Sequence, residues 1–249
     1  FHTPYGYYNT AFHHGQQIAT SLRRPGVVQF ERTGGFMPAH TVGLWLAGAK
    51  RMGTDKLTYD LYIGNGQRIV NGVIDTNNAG GVHGDAMIGG NIGWRAGGAL
   101  DGFRVGASAF TVKVRDDFPG GNLTRVDNYG LYAVYDTDRW ENIAEVYVFG
   151  NRDLSGTSGH HRSDDGFVQL AYRINQFTPY ARYERASLDQ TDNYFAAQQN
   201  GGSYHREALG VRYDLDLASA LKLEFAQTQL TDRTLEQYNE ALMQYAIRF

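Results

Sequence analysis

Charged side chains recur at alternate positions in the second half of the chain, where they would share one face of extended strands. The basic members are Arg173, Arg182, Arg212 and Lys222, and the acidic members are Glu184, Asp214 and Glu224. Two hypotheses follow from this ladder. Either a basic wall facing an acidic patch orients dipolar solutes, or the opposite charges neutralise one another in salt bridges that only stiffen the wall. Arg104 belongs to the same charged face.

A second cationic feature is the Arg23-Arg24 pair, which lies in the long non-periodic stretch 9–39. Residues 16–22 could form a short helical turn that ends at the arginines, before the breaker Pro25-Gly26. If the stretch folds inside a narrow channel, the pair would attract anions in a poorly screened space. If it is a solvated surface loop, the pair has no such role.

Eight histidines invite a test for metal ligation, because imidazole is a common metal ligand. His13-His14 and His160-His161 are adjacent pairs, and adjacent side chains on an extended chain point in opposite directions. Neither pair therefore makes a two-ligand site by itself. The alternative is that several histidines from different loops converge at the extracellular rim. The sequence itself predicts no metal site and no cofactor.

The elements that must position these residues are β-strands, since apolar and polar residues alternate with a period of two. In the stretch 209–215, for example, Leu, Val, Tyr and Leu alternate with Gly, Arg and Asp. We count about twelve such segments, of which the first is weak because it contains Pro4 and Gly6. They lie near 1–8, 40–51, 56–65, 85–95, 102–115, 126–136, 139–151, 165–175, 178–188, 204–215, 219–230 and 238–249.

Shorter and longer connections alternate between these segments, which is typical of a transmembrane barrel with tight periplasmic turns and long outer loops. Twelve strands about 4.8 Å apart and tilted by about 40° would enclose a barrel about 24 Å wide. Aliphatic side chains cannot fill so wide a space, and empty volume is costly. We therefore expect the apolar face to point outward to lipid and the charged face to line the lumen.

Composition narrows the function classes. The chain has 249 residues, a net charge of −3, 31 glycines and no cysteine, which excludes disulfides, thiol catalysis and a basic surface for nucleic acid. No run of about 18 apolar residues suggests a transmembrane helix. We expect any secretion signal to have been removed or to lie upstream of Phe1.

The last predicted strand, from Met243 to Phe249, alternates apolar or aromatic residues and ends in phenylalanine. It resembles the C-terminal assembly signal of Gram-negative outer-membrane β-barrel proteins, and the chain as a whole is porin-like in pattern. The resemblance implies an integral protein of the outer membrane, inserted by the outer-membrane assembly machinery and surrounded by lipid and lipopolysaccharide.

The sequence thus predicts one all-β domain over 1–249, a closed antiparallel transmembrane barrel of about twelve strands, with 9–39 as the segment that could fold into the lumen. The expected function is passive diffusion of small hydrophilic solutes, with a preference for anionic or zwitterionic ones, and no catalysis. Small residues on the outward face have two interpretations. They could form an interface between copies of the chain, or they could make the barrel wall thinner beside bulky neighbours.

Two alternatives remain open. A barrel enzyme resembling outer-membrane phospholipases would need a nucleophile and a base in contact, and His161-x-Ser163 offers only the spacing. A translocator barrel with a plugged lumen would need a helical segment that feeds through it, and no helical pattern is present at the start of the chain.

Overall fold

The computed structural model describes residues 1–13, 15, 18–31, 34–75, 85–117, 121–232 and 236–247. Two short helices lie in this part of the chain, α1 (Tyr8–Phe12) and α2 (Asn193–Ala196). The thirteen strands of the described residues are β1 (Gly43–Met52), β2 (Asp55–Asn65), β3 (Ile69–Val70), β4 (Val73–Ile74), β5 (Ala86–Arg95), β6 (Phe103–Arg115), β7 (Leu123–Asp136), β8 (Trp140–Asp153), β9 (His160–Tyr172), β10 (Phe177–Ser187), β11 (Tyr204–Asp214), β12 (Ser219–Leu230) and β13 (Gln237–Ile247).

Eleven of the strands form one antiparallel sheet in the order β1-β2-β5-β6-β7-β8-β9-β10-β11-β12-β13, and β3 and β4 form a separate hairpin. The all-β, antiparallel prediction is confirmed, and the register pairs consecutive long strands along almost their whole lengths. Among the described residues, β1 and β13 are each paired on one side only. Because neighbouring strands alternate in direction, the first and last of the eleven strands run in the same direction. Closing the sheet into a fully antiparallel barrel would therefore require one further strand between β1 and β13.

The predicted strand at 1–8 is wrong. His2 forms an isolated antiparallel bridge with His40, and the chain then enters α1. Gly6 has a φ of 62°, a left-handed conformation that ends extended backbone. The hairpin β3–β4 was not predicted, because two-residue strands are too short to show alternation.

The two faces of the sheet have opposite characters. Large apolar side chains are exposed on the outer face, among them Leu44, Leu61, Ile88, Leu131, Val168, Leu170, Leu209, Phe225 and Met243. The alternate positions on β6 to β12 are mostly buried and carry most of the charged ladder, including Arg182, Glu184, Lys222 and Glu224. The prediction that the apolar face points outward is therefore confirmed for the sheet, and the ladder lies on the inner face.

The described residues of 1–42, which we call the inner segment, pack against this inner face. Their aromatic and aliphatic side chains form one buried cluster with strand residues; members from the inner segment include Tyr5, Tyr8, Val27, Val28, Phe36 and Met37. Phe1 stacks on Trp45 of β1, Tyr5 contacts Tyr147 of β8, and the backbone near Ala19 reaches β12. Because one segment touches strands from both halves of the sheet, the sheet curves around it.

Connections at one end of the sheet are generally longer than those at the other, as predicted, although 96–102 and 116–122 are equally long. At the end with the longer connections, the hairpin β3–β4 meets the connection between β10 and β11. Gln199 donates from its backbone to Gly72 O (2.9 Å) and from its amide to Asn71 O (2.9 Å). Two connections far apart in the strand order are thus joined across this end.

The final predicted strand is β13, and Arg248 and Phe249 of the resemblance lie outside the described residues. Among the residues that are described, no helix has the length and apolar character needed to cross a membrane.

Candidate functional site

The charged ladder binds the backbone of the inner segment. Nη1 of Arg212 donates to the carbonyl of Ile18 (2.9 Å), and Nζ of Lys222 donates to that of Ala19 (2.6 Å). Nη1 of Arg182 donates to the carbonyl of Arg23 (2.8 Å). Non-helical backbone buried away from water needs such partners, since an unpaired carbonyl costs about as much as a lost hydrogen bond.

Acceptors on the same strands take up the backbone N–H groups of the inner segment. The N–H of Gly26 donates to Glu184 Oε2 (2.7 Å), and the N–H of Arg23 donates to Glu224 Oε2 (3.2 Å). Cations at carbonyls and carboxylates at N–H groups together hold an irregular stretch of backbone without any strand pairing. Four ladder residues, Arg182, Glu184, Lys222 and Glu224, meet at this docking surface.

Ion pairs within the ladder neutralise much of its charge. Nε of Arg182 lies 2.8 Å from Glu184 Oε1, and both side chains are almost fully buried. Arg206, which we had not predicted as a site residue, lies 3.4 Å from Glu224 and 3.3 Å from Glu240. The structure therefore combines the salt-bridge hypothesis with a docking role that the sequence did not suggest.

Two predicted ladder members lie apart from this surface. Arg173 binds Asp136 (3.1 Å) and Glu141 (2.9 Å), next to the short connection between β7 and β8. Arg212 pairs with Asp214 (2.7 Å) near the end of β11, and its guanidinium contacts the inner segment before Arg23 in the chain, at the carbonyls of Ile18 and Ala19.

Arg23 and Arg24 are adjacent but have different environments. The guanidinium of Arg23 pairs with Glu240 at 2.7 Å, and its side chain is 40% exposed in a cavity of about 380 Å³. Arg24 is 6% exposed, donates to Val28 O, Phe12 O and Asn9 Oδ1, and lies over the Phe30 ring. Burial lowers the pKa of Arg24 from its usual value. Only Arg23 has the exposure to meet a solute.

Arg104 lies in a different place, on the half of the sheet formed by β1, β2, β5 and β6. The register places it in a cross-strand row of cations, Arg51 opposite Lys56, Lys56 opposite Arg95, and Arg95 opposite Arg104. We call these four residues the inner basic row. Three of them, with Tyr7 and Thr10 of the inner segment, line a cavity of about 620 Å³.

Carboxylates pair with two of the four cations in the inner basic row. The same cavity holds one carboxylate, Asp60. Arg95 lies 3.4 Å from Asp101, and Arg104 lies 3.9 Å from Asp136. Cations directly opposite one another across a sheet repel, so this arrangement favours an anion beside it.

Sequence reasoning missed Glu145, which holds the start of α1. Its carboxylate accepts the N–H of Tyr7 (3.0 Å) and of Tyr8 (2.5 Å) and the hydroxyl of Tyr147. A single acidic residue in a largely apolar stretch of β8 indicates a specific binding role, but the sequence does not show which residues it binds.

The histidines cluster in a way that their spacing did not predict, because His2, His13 and His40 converge at the junction of the inner segment with β1. His14 and His83 lie outside the described residues.

His161 and Ser163 are the two residues on which the enzyme alternative depends, and both side chains point to the inner face. The Asp189 carboxylate binds the His161 ring (2.9 Å), and the backbone N–H of Asp189 donates to the Ser163 hydroxyl (2.9 Å).

No protein family matches the chain, and no curated protein resembles it significantly. The geometry of the two faces and of the inner segment is therefore the basis on which a function can be proposed.

Proposed function

We propose that the protein is an integral β-barrel of the Gram-negative outer membrane that lets small hydrophilic solutes diffuse across, with a preference for anions. The observation that carries the proposal is the pair of opposite faces. An exposed apolar face is costly in water and stable against lipid, and a charged face is stable beside trapped water. Closure of the sheet into a barrel is part of the proposal, since a lipid-exposed sheet edge leaves backbone groups unpaired.

Aromatic residues support a membrane boundary at the end with the shorter connections. On the outer face they form a row across neighbouring strands: Trp94, Phe103, Tyr135, Trp140, Tyr172, Phe177, Tyr213 and Tyr245. Ring centroids of Trp140 and Tyr172 are 4.7 Å apart, and those of Phe177 and Tyr213 are 4.6 Å apart. Such girdles lie at lipid headgroups because the rings are amphipathic.

The opposite boundary is supported by a second row of cations on the outer face. Lys113 is opposite Arg125, Arg125 is opposite Arg152, and Arg152 is opposite His160. We call these the outer basic row. Ten residues separate Phe103 from Lys113, about 33 Å along the strand and about 25 Å across a membrane at a tilt of about 40°, which equals the usual apolar band.

The outer basic row fits anionic lipid headgroups, and lipopolysaccharide is the partner we propose for it. Asp85 and Asp127 each neutralise one of its cations, at 2.9 Å from Lys113 and 3.0 Å from Arg125. Phosphate groups of the outer leaflet would neutralise the rest, since like charges placed directly opposite one another need counter-charge.

The inner basic row gives the proposed pore its preference for anions over cations. A unit charge about 7 Å away attracts an anion by about 0.6 kcal/mol even at the dielectric constant of water, which is a factor of about three in population. The solute path runs through the cavity between the inner basic row and α1, because the inner segment covers much of the remaining inner face. The pore is therefore narrow.

The test is conductance of the full chain in a planar bilayer with a salt gradient. We expect small, stable steps whose reversal potential shows anion preference. Arg95→Gln removes one cation of the inner basic row and should lower the chloride-to-potassium permeability ratio by about threefold.

Arg152→Gln is the matched control, since it removes the same charge from the outer basic row and should leave the ratio unchanged. Equal effects of both variants would show that surface charge alone sets the preference. Silence of the wild-type chain would mean that the inner segment closes the lumen, and the pore proposal would be abandoned.

A further inference from the structure

The residues His2, His13 and His40 come from three separate parts of the inner segment. Backbone hydrogen bonds join residues 1–3 to 39–41, with Phe1 N to Thr41 O, Thr41 N to Phe1 O and Thr3 N to Ala39 O all at 2.9 Å. His13 directly follows α1 and stacks on His2, with ring centroids 3.2 Å apart. One nitrogen of each histidine lies within 4.8 Å of one nitrogen of the other two.

The proton positions on His40 follow from its carboxylate partner. Glu31 is 1% exposed, and its two oxygens accept the His40 backbone N–H (2.8 Å) and face His40 Nδ1 (3.1 Å). A carboxylate oxygen accepts and does not donate, so Nδ1 carries the proton. In the neutral ring the lone pair is therefore on Nε2.

The same reasoning applies to His13. Nδ1 of His13 lies 3.3 Å from Asn9 Oδ1, and that oxygen already accepts Arg24 Nη2 at 2.9 Å. The amide nitrogen of Asn9 donates to Thr3 O at 2.8 Å, which fixes the orientation of the amide. His13 Nδ1 is thus the donor, and the lone pair is again on Nε2.

The Nε2 atoms of His13 and His40 are 3.2 Å apart. Two lone pairs at this distance repel each other unless a cation or a shared proton lies between them. In a tetrahedral site with metal–nitrogen distances of about 2.05 Å, ligand nitrogens are about 3.3 Å apart, which agrees with the observed separation. Carboxylate and amide oxygens behind the ring N–H groups are the usual outer partners of metal-bound histidines.

We propose that His13 and His40, with His2 as the third ligand, bind a divalent transition-metal ion of the Zn²⁺ class. Three neutral imidazoles suit Zn²⁺ and its neighbours and do not suit Mg²⁺ or Ca²⁺. Because the His2 ring stacks on His13, His2 must rotate out of this stack to point a nitrogen at the ion, and that nitrogen must approach by roughly 1.5 Å to reach the tetrahedral spacing. Buried Glu31 supplies one negative charge to the site, and Arg24 on the far side of Asn9 supplies one positive charge.

The ion has a route from solution. His2 and His13 line a cavity of about 670 Å³, and the His40 side chain is 41% exposed. Bound there, the metal would link residue 2 to residue 40 and so fasten both ends of the inner segment to each other. This inference does not depend on the pore, because metal binding can be measured in detergent without a membrane.

The experiment is isothermal titration of the tag-free full chain with ZnCl₂, with CoCl₂ as a spectroscopic probe and MgCl₂ as a negative probe. We expect one Zn²⁺ per chain, tetrahedral Co²⁺ absorption bands and no heat with Mg²⁺. His13→Ala and His40→Ala should each weaken Zn²⁺ binding by about 100-fold or more, and Glu31→Gln by about 10- to 100-fold.

The matched controls are His160→Ala and His205→Ala, each of which removes one histidine outside the cluster and should bind Zn²⁺ like the wild type. Thermal unfolding without metal checks that each variant folds. If an alanine variant does not fold, Zn²⁺ binding by Glu31→Gln is compared with that of the wild type instead. Absence of Zn²⁺ binding by a folded wild-type chain, or an equal loss in the controls, would overturn the proposal and leave a shared proton between the rings.

Discussion

The two halves of the inner face use charge in opposite ways. Along β10 to β12 the cations and carboxylates are buried and bind the backbone of the inner segment, as Lys222 does with Ala19 O at 2.6 Å. Along β1, β2, β5 and β6 the cations stand in register beside a cavity of about 620 Å³. The same alternating pattern in the sequence therefore serves docking on one side and leaves a cationic surface on the other.

What distinguishes the halves is the partner placed against them. Where the irregular backbone of the inner segment lies on the sheet, cations and carboxylates bind its carbonyl and N–H groups as well as one another. Where the short helix α1 lies opposite, its own backbone groups are partly paired within the helix, and carboxylates pair with two of the strand cations, Arg95 and Arg104. A charged wall thus cannot be assigned to solute binding until the segment that covers it is known.

The largest expected effect tests the docking half. Arg182→Gln leaves Glu184, which is 1% exposed, with only Arg206 at 3.9 Å as a cation. Breaking a buried ion pair from one side costs about 3–5 kcal/mol. Urea unfolding in detergent, followed by tryptophan fluorescence, should show that loss.

The control for this prediction is Arg185→Gln on the same strand, whose side chain points to the outer face and is exposed. Its free energy of unfolding should stay within about 0.5 kcal/mol of the wild type. A similar loss in both variants would contradict the distinction between docking and surface charges.

An intermediate effect separates the two neighbouring arginines of the inner segment. Arg24→Gln removes hydrogen bonds from a buried cation and should lower the free energy of unfolding by about 1.5–3 kcal/mol. Arg23→Gln removes a half-exposed ion pair with Glu240 and should cost less than about 1 kcal/mol. The same urea unfolding assay measures both variants. An equal loss in the free energy of unfolding would mean that Arg24 contributes no more to stability than Arg23.

A further effect of charge is expected on the outer face. Replacing both Arg125 and Arg152 by glutamine should weaken binding of fluorescent lipopolysaccharide to the detergent-solubilised chain by about 1 kcal/mol per charge. Arg95→Gln, which alters the inner basic row, is the control and should bind as the wild type does. Equal binding by all three proteins would remove lipopolysaccharide as the partner of the outer basic row.

The sheet was predictable because period-two alternation is a local property. Each long strand from β5 to β13 coincides closely with a predicted segment, although β9 begins at His160, five residues before its prediction. The apolar outer face followed from the same alternation together with the size of the sheet. Neither inference needed a contact between distant residues.

The placement of the inner segment was not predictable in the same way. It has no alternation, and its partners are side chains such as Glu145 and Lys222, more than a hundred residues away in the sequence. The hypothesis that 9–39 folds inward anticipated its general position but treated Arg23 and Arg24 as equals. The histidine cluster was hidden for a similar reason, because only the pairing of residues 1–3 with 39–41 brings His2 to His40.

The hydrogen bonds between Gln199 and the β3–β4 hairpin have a consequence for local opening of the structure. There are two of them, to Gly72 O and Asn71 O, both at 2.9 Å. Bonds of this kind are worth about 0.5–1.5 kcal/mol each, so breaking both costs at most about 3 kcal/mol and leaves them broken at least roughly one percent of the time. If the chain forms the proposed pore, this local opening predicts brief flickers superimposed on a steady conductance level.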